Sequence, residues 1–362
     1  MQKKWWLFHA TDFQTLMRPC FTICRILGMF PYKINDSTFE ISLPCYALST
    51  AVVCLYCVFY LLCFRNIYYY ELITFEDVTN FFDNFCYFTF NGLIVIVTYI
   101  LSNPRMRLLQ TTSEMYSRLP SESHQMLSRL IHTKDILVII IIILQLLLNF
   151  SIRNIKINWD LIALLFETYV VLPGYQMNML YMNCICVLKA SLKKINDDLM
   201  HMQSDIINDT ELSVPNLICH IRRNQFFLME VKTLMKQHLM ISKTLQKLNL
   251  IFSLQLLVTV TLTFYSVVFG LFHFVFWEDG VQIYFDMDGI VVEFMWIIYD
   301  ISHITLIVWA CETCKNQSHG IGITVCNVYN TIRDEQIKGE VIILKTHGVL
   351  IRFFELIYCR YV

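Results

Sequence analysis

Long apolar segments alternate with polar ones along this chain, and the lengths of the apolar segments match a lipid bilayer. Each is close to or above the roughly 18–20 residues that an α-helix needs to cross a hydrocarbon core about 30 Å thick. The six apolar segments lie at 41–64, 78–101, 135–152, 160–188, 250–276 and 290–311. This pattern predicts an all-α fold, a polytopic bundle of six membrane-spanning helices.

Basic residues are divided unevenly between the gaps that separate these segments. Of the 28 Lys and Arg residues, 25 fall in alternate gaps on one side and 3 fall in the gaps on the other. Loops rich in Lys and Arg stay cytoplasmic, because cationic side chains cross a bilayer poorly. The rule applies to short loops, and leaving out the long 189–249 gap still gives 16 against 3. We therefore expect both termini in the cytoplasm.

This topology divides the chain into five parts. A cytoplasmic amino-terminal segment, 1–40, precedes spanning helices one to four, which occupy 41–188. A cytoplasmic helical extension at 189–249 follows, then spanning helices five and six at 250–311, and a cytoplasmic tail at 312–362. Apolar residues recur at helical spacing in the extension, which predicts that helices four and five project into the cytoplasm and pack together. These residues are Leu192, Ile195, Leu199, Met202, Leu234, His238, Ile241, Leu245 and Leu248.

Composition supports an integral membrane protein and argues against an enzyme. Hydrophobic residues make up 56% of the chain and charged residues only 16%, against about 25% in soluble proteins. None of the 14 cysteines lies in a predicted outer gap, and Cys311-x-x-Cys314 has no second pair, so neither disulfides nor a zinc site is expected. Phosphate-loop, dinucleotide and hydrolase motifs are missing. We expect no catalytic residue, metal, cofactor or nucleic-acid partner.

Several predicted spans carry polar side chains on one face. An ionisable residue inside a spanning helix is costly and normally faces a partner or a water-filled cavity. At about 100° per residue, the sixth span collects Glu293, Trp296, Asp300 and His303 on one face. Ile297 and Ile298 are expected to face lipid. The second and fourth spans have similar faces: Asn84, Tyr87, Asn91 and Thr98, and Glu167, Gly174, Asn178 and Tyr181. Pro173 and Gly174 predict a kink in the fourth span.

The outer halves of these faces are the candidate ligand site. Aromatic faces combined with carboxylates suit polyols and cationic, alkaloid-like molecules equally. An alternative for the Asn and Thr residues is helix–helix hydrogen bonding, at about 0.6 kcal/mol each. Trp277 has the alternative of an interfacial anchor. The candidate ligand-binding residues on these faces are Asn84, Tyr87, Glu167, Glu293 and Trp296. His273 and Trp277, one helical turn apart at the outer end of the fifth span, are expected to join them.

Local sequence motifs lie before the first and after the sixth apolar segment. The first is the stretch from Arg25 to Lys33, followed by Ser37-Thr-Phe-Glu40. The second comprises Trp309-Ala-Cys-Glu-Thr-Cys314, Gly320-Ile-Gly-Ile and Asp334-Glu-Gln-Ile-Lys338. These stretches resemble, in order, the segment before the first helix and the stretch linking the sixth and seventh helices of the insect gustatory receptor family, within the insect chemoreceptor superfamily. The similarity extends from about residue 15 to residue 340.

The resemblance implies a ligand-gated, non-selective cation channel subunit that detects small-molecule tastants, sugars such as fructose or bitter compounds. It implies a homo- or heterotetramer with other gustatory receptors, membrane lipid as a partner, and a multi-pass location in the cell membrane of gustatory neuron dendrites, axons or cell bodies. It also implies a ligand pocket in the outer half of the bundle. An odorant-receptor-like subunit and a proton-coupled carrier remain the alternatives, the carrier because of Glu167, Glu293, Asp300 and His303.

One part of the chain departs from the family pattern. The family has seven spanning helices, and the seventh lines the pore and carries a Thr-Tyr-Leu…Gln-Phe signature. Residues 341–362 lack this signature and contain Lys345, Arg352, Glu355 and Arg360, without an apolar run near 20 residues. The expectation is a chain truncated before the pore helix.

Overall fold

The computed structural model describes residues 10–35, 38–69, 75–152, 159–211, 217–278, 287–332 and 336–344, which are predominantly helical. The elements in chain order are α1 (Phe13–Leu16), α2 (Arg18–Ile26), β1 (Tyr32–Asn35), β2 (Thr38–Ile41), α3 (Leu43–Tyr69), α4 (Phe75–Ile100), α5 (Ser102–Ser117), α6 (Ser121–Ile152), α7 (Trp159–Glu211), α8 (Leu217–Glu278), α9 (Met287–Thr331) and α10 (336–344).

Each predicted apolar segment lies, apart from a residue or two at its ends, in a long helix of its own, which confirms the all-α membrane fold. The segments lie in α3, α4, α6, α7, α8 and α9. Within the described residues, α3, α6, α8 and α9 contain stretches long and apolar enough to cross a bilayer. The pair α4 and α5, bent by 67°, is a fifth candidate span. Six crossings and a cytoplasmic amino terminus remain predictions.

Helix α7 differs from these candidates because it lies at the centre of the bundle. Gln176, Asn178 and Asn183 lower its hydropathy, and all three side chains are buried. Every residue from Gln176 to Leu188 is buried, so this stretch contacts neighbouring helices on all sides. Helices α8 and α9 are its main neighbours. A central helix can carry amides because adjacent helices, rather than lipid, supply their hydrogen-bond partners. Pro173 lies inside this helix, which continues on both sides of it.

The outer helices expose large apolar side chains, as expected for surfaces in contact with hydrocarbon. The side chains of Leu55 of α3 and Ile143 of α6 are at least half exposed, and that of Leu254 of α8 is nearly half exposed. Ile298 of α9 is 62% exposed, which agrees with the predicted lipid face. The same prediction was wrong for Ile297, which is only 8% exposed. Because Ile297 precedes Asp300 by less than one helical turn, it shares the inward face of α9.

The amino-terminal segment is folded onto the bundle. Asp12 caps α1 by accepting a hydrogen bond from the backbone N–H of Thr15, whose side chain accepts one from the N–H of Asp12. Strands β1 and β2 pair antiparallel, with Tyr32 opposite Ile41. Phe13, Phe21, Phe30 and Phe39 pack edge to face or tilted against one another, and Phe13 also contacts Tyr116 of α5. This aromatic cluster anchors the segment to the helices.

A sharp corner joins α4 to α5. Pro104 lies in the first turn of α5, where its ring would clash with the carbonyl of Ile100 in a continuous helix, so the chain bends there. The bend leaves α4 carbonyls without helical partners, and the Arg105 guanidinium donates to the Thr98 carbonyl at 3.2 Å. The Tyr32 hydroxyl donates to the Ser102 carbonyl. Burial raises the pKa of Tyr32 to about 12, so this donor stays protonated at physiological pH.

The 189–249 region is helical up to Glu211 and again from Leu217, as the apolar spacing predicted. The apolar positions predicted there are buried, except that Leu245 is half-buried. Helix α10 adds Ile337, Val341 and Leu344 to the same core, and its Glu340 forms a 3.3 Å ion pair with Lys232 of α8. The cytoplasmic location of this extension remains a prediction.

Candidate functional site

Polar side chains from α7 and α9 meet inside the bundle. The Tyr175 hydroxyl of α7 donates a hydrogen bond of 2.6 Å to Oδ1 of Asp300 on α9. The Tyr175 ring packs edge to face against Tyr299, at 4.9 Å, and against His303, at 5.4 Å. Tyr299 and His303 lie one helical turn apart on α9, and their rings stack at 6.0 Å. The spacing along α9 therefore creates a compact group of three rings and one carboxylate.

Trp296 extends this group along α9. Its ring packs edge to face on Tyr299 at 6.3 Å. Tyr87 of α4 lies near enough to Tyr175 to interact with it electrostatically. Gln145 of α6 donates from its amide to the Met295 carbonyl at 3.3 Å, which joins a third helix to the same region.

A buried charge pair lies next to this group within α6, at the predicted inner end of the third apolar segment. The Lys134 ammonium is 2.9 Å from Oδ1 of Asp135, whose side chain is only 4% exposed. The Asn183 amide of α7 donates to both carboxylate oxygens of Asp135, at 3.4 and 3.2 Å. Lys134 is also near enough to His303 to interact with it electrostatically. Buried charges are tolerated when they are paired and hydrogen-bonded in this way.

These residues form one continuous feature, which we call the polar column: Tyr175, Tyr299, Asp300, His303, Lys134, Asp135 and Asn183. It extends across α6, α7 and α9 from the middle of the predicted spans to their inner ends.

Several polar atoms of this region have no hydrogen-bond partner among the described residues. They are His303 Nε2, Asn183 Oδ1, the Tyr299 hydroxyl and Gln145 Oε1. Buried polar groups in native proteins are normally paired with protein atoms or water, and leaving one unpaired costs about 1–3 kcal/mol. Such a concentration of open donors and acceptors favours a region that admits water or a polar solute.

Other buried amides join helices to one another. Asn178 donates to Thr259 at 3.0 Å and accepts from Gln255 at 3.1 Å, which ties α7 to α8. The Tyr181 hydroxyl of α7 donates to the Asn249 side chain of α8 at 3.1 Å. Asn91, by contrast, donates to the Tyr87 carbonyl within its own helix, α4. The alternative of helix–helix hydrogen bonding is therefore right for Asn178.

The structure locates only part of the predicted ligand site. Trp296 lies beside the polar column, and Tyr87 is half-buried next to Phe88 and near Tyr175. For the other five predicted residues the structure describes the helix that carries each one but not the side chain; they are Asn84, Glu167, His273, Trp277 and Glu293.

The sequence pattern found Asp300 and His303 but missed their partners. Tyr175 follows Gly174 directly, so it lies one position away from the polar face predicted for the fourth span. Lys134 and Asp135 stand at the boundary of the third apolar segment, where charged residues are ordinarily solvated. Only the packing of α6 against α7 and α9 shows that this pair is buried.

Metal binding is not supported in the described ranges. No group of three or more His, Cys, Asp or Glu side chains there is placed to hold an ion. Cys314 is buried, and the Cys311 thiol lies 3.3 Å from the Tyr181 hydroxyl.

Comparison with known proteins agrees with this architecture. No curated protein matches the chain. A family model described as 7tm chemosensory receptor matches residues 17–343, which is most of the sequence. The match covers α2, the β1–β2 hairpin, every long helix and nearly all of α10. The chain therefore belongs to the 7tm chemosensory receptor family, whose members are multi-pass membrane receptors for small molecules.

Proposed function

We propose that this chemoreceptor is a gustatory receptor subunit, a ligand-gated non-selective cation channel that opens when a small-molecule tastant binds within the helical bundle. The polar column is the observation that carries the proposal. It combines a carboxylate, stacked aromatic rings and unpaired polar atoms between α6, α7 and α9.

The column has the chemistry that a sugar or a cationic bitter compound requires. A ligand hydroxyl or ammonium can replace the Tyr175 hydroxyl as the donor to Asp300. The faces of Trp296 and Tyr299 suit the apolar side of a sugar ring or a delocalised cation. The predicted outer residues Asn84, Glu167, His273, Trp277 and Glu293 would then form the entrance, together with Tyr87.

Long helices connect this site to the predicted cytoplasmic side. Helix α7 continues from Tyr175 to Glu211, and α9 continues from Asp300 to Thr331. Ligand-induced separation of Tyr175 from Asp300 would therefore move the α7–α9 contact as two rigid elements. In a homo- or heterotetramer of such subunits, this movement would reach the pore.

Functional expression tests the proposal directly. The chain is expressed with the family's seventh helix restored after residue 340, because residues 341–362 lack its signature. It is expressed both alone and together with a second receptor of the family, and calcium entry is imaged during exposure to sugars and bitter compounds. We expect at least one compound to evoke a calcium rise and a cation current that reverses near zero voltage. Silence in both configurations to the whole panel would contradict the proposal.

A proton-coupled carrier is the second candidate, and the Asp300–Tyr175–His303 contacts favour it because relays of ionisable groups occur in carriers. The two functions differ in what crosses the membrane. A carrier accumulates radiolabelled substrate in a saturable way without ligand-evoked current, whereas a receptor channel passes current without accumulation.

A further inference from the structure

We infer that the polar column binds a ligand that carries a positively charged nitrogen, an organic ammonium ion, in preference to a neutral sugar. The inference rests on the proposed function, because it names the ligand class of the same site. Its basis is the carboxylate of Asp300, which lies inside a predicted span beside aromatic rings and, among the described residues, has no cationic partner.

The charge of Asp300 is not balanced by the described part of the bundle. Its carboxylate accepts one hydrogen bond, from the neutral Tyr175 hydroxyl, and no described Lys, Arg or His forms an ion pair with it. The lysine of the column, Lys134, is already paired with Asp135 at 2.9 Å. One lysine and two aspartates, with His303 counted as neutral, give the column a net charge of −1. A charge held inside a membrane bundle normally has a counter-charge, and a monovalent cationic ligand supplies it.

One oxygen of this carboxylate is available to such a ligand. Oδ1 accepts from Tyr175 at 2.6 Å, whereas Oδ2 has no donor among the described residues. Oδ2 is not one of the polar atoms that the protein encloses without a partner, and the Asp300 side chain is half-buried rather than buried. An ammonium ion can therefore contact Oδ2 first and then compete with Tyr175 for the carboxylate. Contacts between an ionised donor and a carboxylate are about twice as strong as those between neutral groups.

An aromatic ring lies beside the carboxylate on the same helix. Trp296 precedes Asp300 by four residues, so the two lie one helical turn apart on one face of α9. The Trp296 ring is half-buried and packs edge to face on Tyr299 at 6.3 Å, which leaves part of its surface open. A cation within about 6 Å of an aromatic face is attracted to the ring, and Trp gives the strongest attraction. A neutral sugar would contact the ring and donate to Asp300, but it would leave the negative charge unbalanced.

The predicted outer approach to the column has the same sign of charge. The outer gap 277–289 contains no basic residue and has four acidic ones, Glu278, Asp279, Asp286 and Asp288. By its spacing, Glu293 is predicted on the face of α9 that carries Trp296 and Asp300. An acidic entrance raises the local concentration of cations. The charge along the approach and the charge of the column therefore favour the same class of ligand.

The test uses the full chain and requires no channel activity. The protein is purified in octaethylene glycol monododecyl ether, a detergent that carries neither an ammonium group nor a sugar. Choline and 3,3-dimethylbutan-1-ol are the matched probes, because the second has a carbon in place of the charged nitrogen and keeps the shape of the first. Benzyltrimethylammonium and fructose are titrated beside them, and binding is measured by isothermal titration calorimetry.

Three variants separate the charge from the ring. Asp300→Asn removes the charge, and Trp296→Leu removes the ring. Trp296→Leu leaves the Asp300 contact with Tyr175 in place, so it tests the site even where Asp300→Asn does not fold. The matched control is Glu312→Gln, which removes one acid from an exposed position nearer the carboxyl end of α9.

We expect the wild type to bind choline and benzyltrimethylammonium at least about tenfold more tightly than 3,3-dimethylbutan-1-ol or fructose. This preference should disappear in Asp300→Asn, fall by about threefold to fivefold in Trp296→Leu, and change by less than about twofold in Glu312→Gln. Equal affinity for charged and neutral probes, no binding of either ammonium compound, or a preference that survives in Asp300→Asn would overturn the inference.

These results distinguish the ligand class from the proposed function. Calcium entry evoked by sugars, in a protein that shows no preference for ammonium compounds, would refute the ligand class and leave the channel function standing. Ammonium binding that depends on Asp300, in a protein that no compound activates, would support the ligand class and contradict the channel function.

Discussion

Asp300 is the residue on which the candidate site depends, because its carboxylate joins α9 to α7 through one hydrogen bond. The acceptor is a carboxylate, and the donor is the Tyr175 hydroxyl at 2.6 Å, a length typical of charge-assisted bonds. Hydrogen bonds between membrane helices average about 0.6 kcal/mol and reach about 1.7 kcal/mol in measured cases. This short bond belongs at the upper end of that range.

A double-mutant cycle measures the bond. Tyr175→Phe, Asp300→Asn and the combined variant are purified, and their unfolding is compared by thermal melting. Either substitution alone already removes the same hydrogen bond, so the combined variant should lose less stability than the sum of the two. We expect a coupling energy of about 1–1.5 kcal/mol. Additive effects of the two substitutions would show that this contact contributes nothing to the packing of α7 on α9.

Residue-level prediction from sequence succeeded where helical periodicity decides the face and failed where packing decides it. Asp300, His303 and Trp296 share a face because of their spacing, and they do lie in one group. The lipid-facing prediction for Ile297 is wrong because it departs from this periodicity, which places Ile297 close to Asp300, and Ile297 is buried. The burial of Lys134 and Asp135 follows from the approach of α7, which no local pattern indicates.

Among the helices, the contact between α3 and α4 depends on a glycine. A Cβ added at Gly92 would collide with the Tyr56 side chain, whose hydroxyl donates to the Phe88 carbonyl. Small residues allow this close approach of membrane helices. At Gly320 of α9, by contrast, an added Cβ would meet nothing within 4 Å.

These two glycines provide a matched pair of substitutions. Gly92→Ala should lower the melting temperature, because α3 must move away from α4 or Tyr56 must lose its hydrogen bond. Gly320→Ala should leave stability unchanged or raise it by up to about 1 kcal/mol through helix propensity. Thermal melting of the two purified variants checks the difference, and a stable Gly92→Ala protein would contradict the proposed packing.

The predicted cytoplasmic extension contains a destabilising cluster of acids. Burial, together with Asp198 and Asp205 of α7, raises the pKa of Glu230 on α8 above its usual value. A carboxyl whose pKa is higher in the folded state binds more protons when folded, so stability falls as pH rises through the window above 4.5. Neutral pH therefore weakens the contact between α7 and α8.

Glu230→Gln should stabilise the protein at pH 7 by about 0.3–1 kcal/mol, a small effect because the group is partly solvated and screened. The gain should shrink in high salt and vanish near pH 4, where the carboxyl is protonated in the folded protein. Melting curves against pH for this variant and for the exposed control Glu114→Gln check it. A gain independent of pH would argue against charge repulsion.

The amino-terminal elements show what the sequence could not indicate. The apolar lengths predicted every long helix, and Pro104 marks the α4–α5 corner in retrospect. The strands of the β1–β2 hairpin alternate apolar and polar residues, but each is only four residues long. The hairpin depends on contacts with distant residues, such as Tyr32 with Ser102 and Phe39 with Phe13. Long-range contacts of this kind leave little trace in local periodicity.

For the whole molecule, the distribution of charge predicts its orientation in the membrane. With 25 of 28 basic residues on one side, an epitope tag placed before Met1 should be stained by antibody only after cells are permeabilised. A second tag inserted in the acidic predicted outer gap, 277–289, should be stained on intact cells. Staining of the amino-terminal tag on intact cells would reverse the topology.

The most direct measurement of the whole account is the concentration dependence of the current evoked by an active tastant. Wild type, Asp300→Asn and the lipid-facing control Ile298→Ala are compared at equal surface expression. We expect the half-maximal concentration for Asp300→Asn to rise by about tenfold to a hundredfold, since a hydrogen bond to a charged group contributes about 1.5–3 kcal/mol. The change for Ile298→Ala should be less than about twofold. Equal shifts in both variants, or none in either, would contradict a ligand site at the polar column.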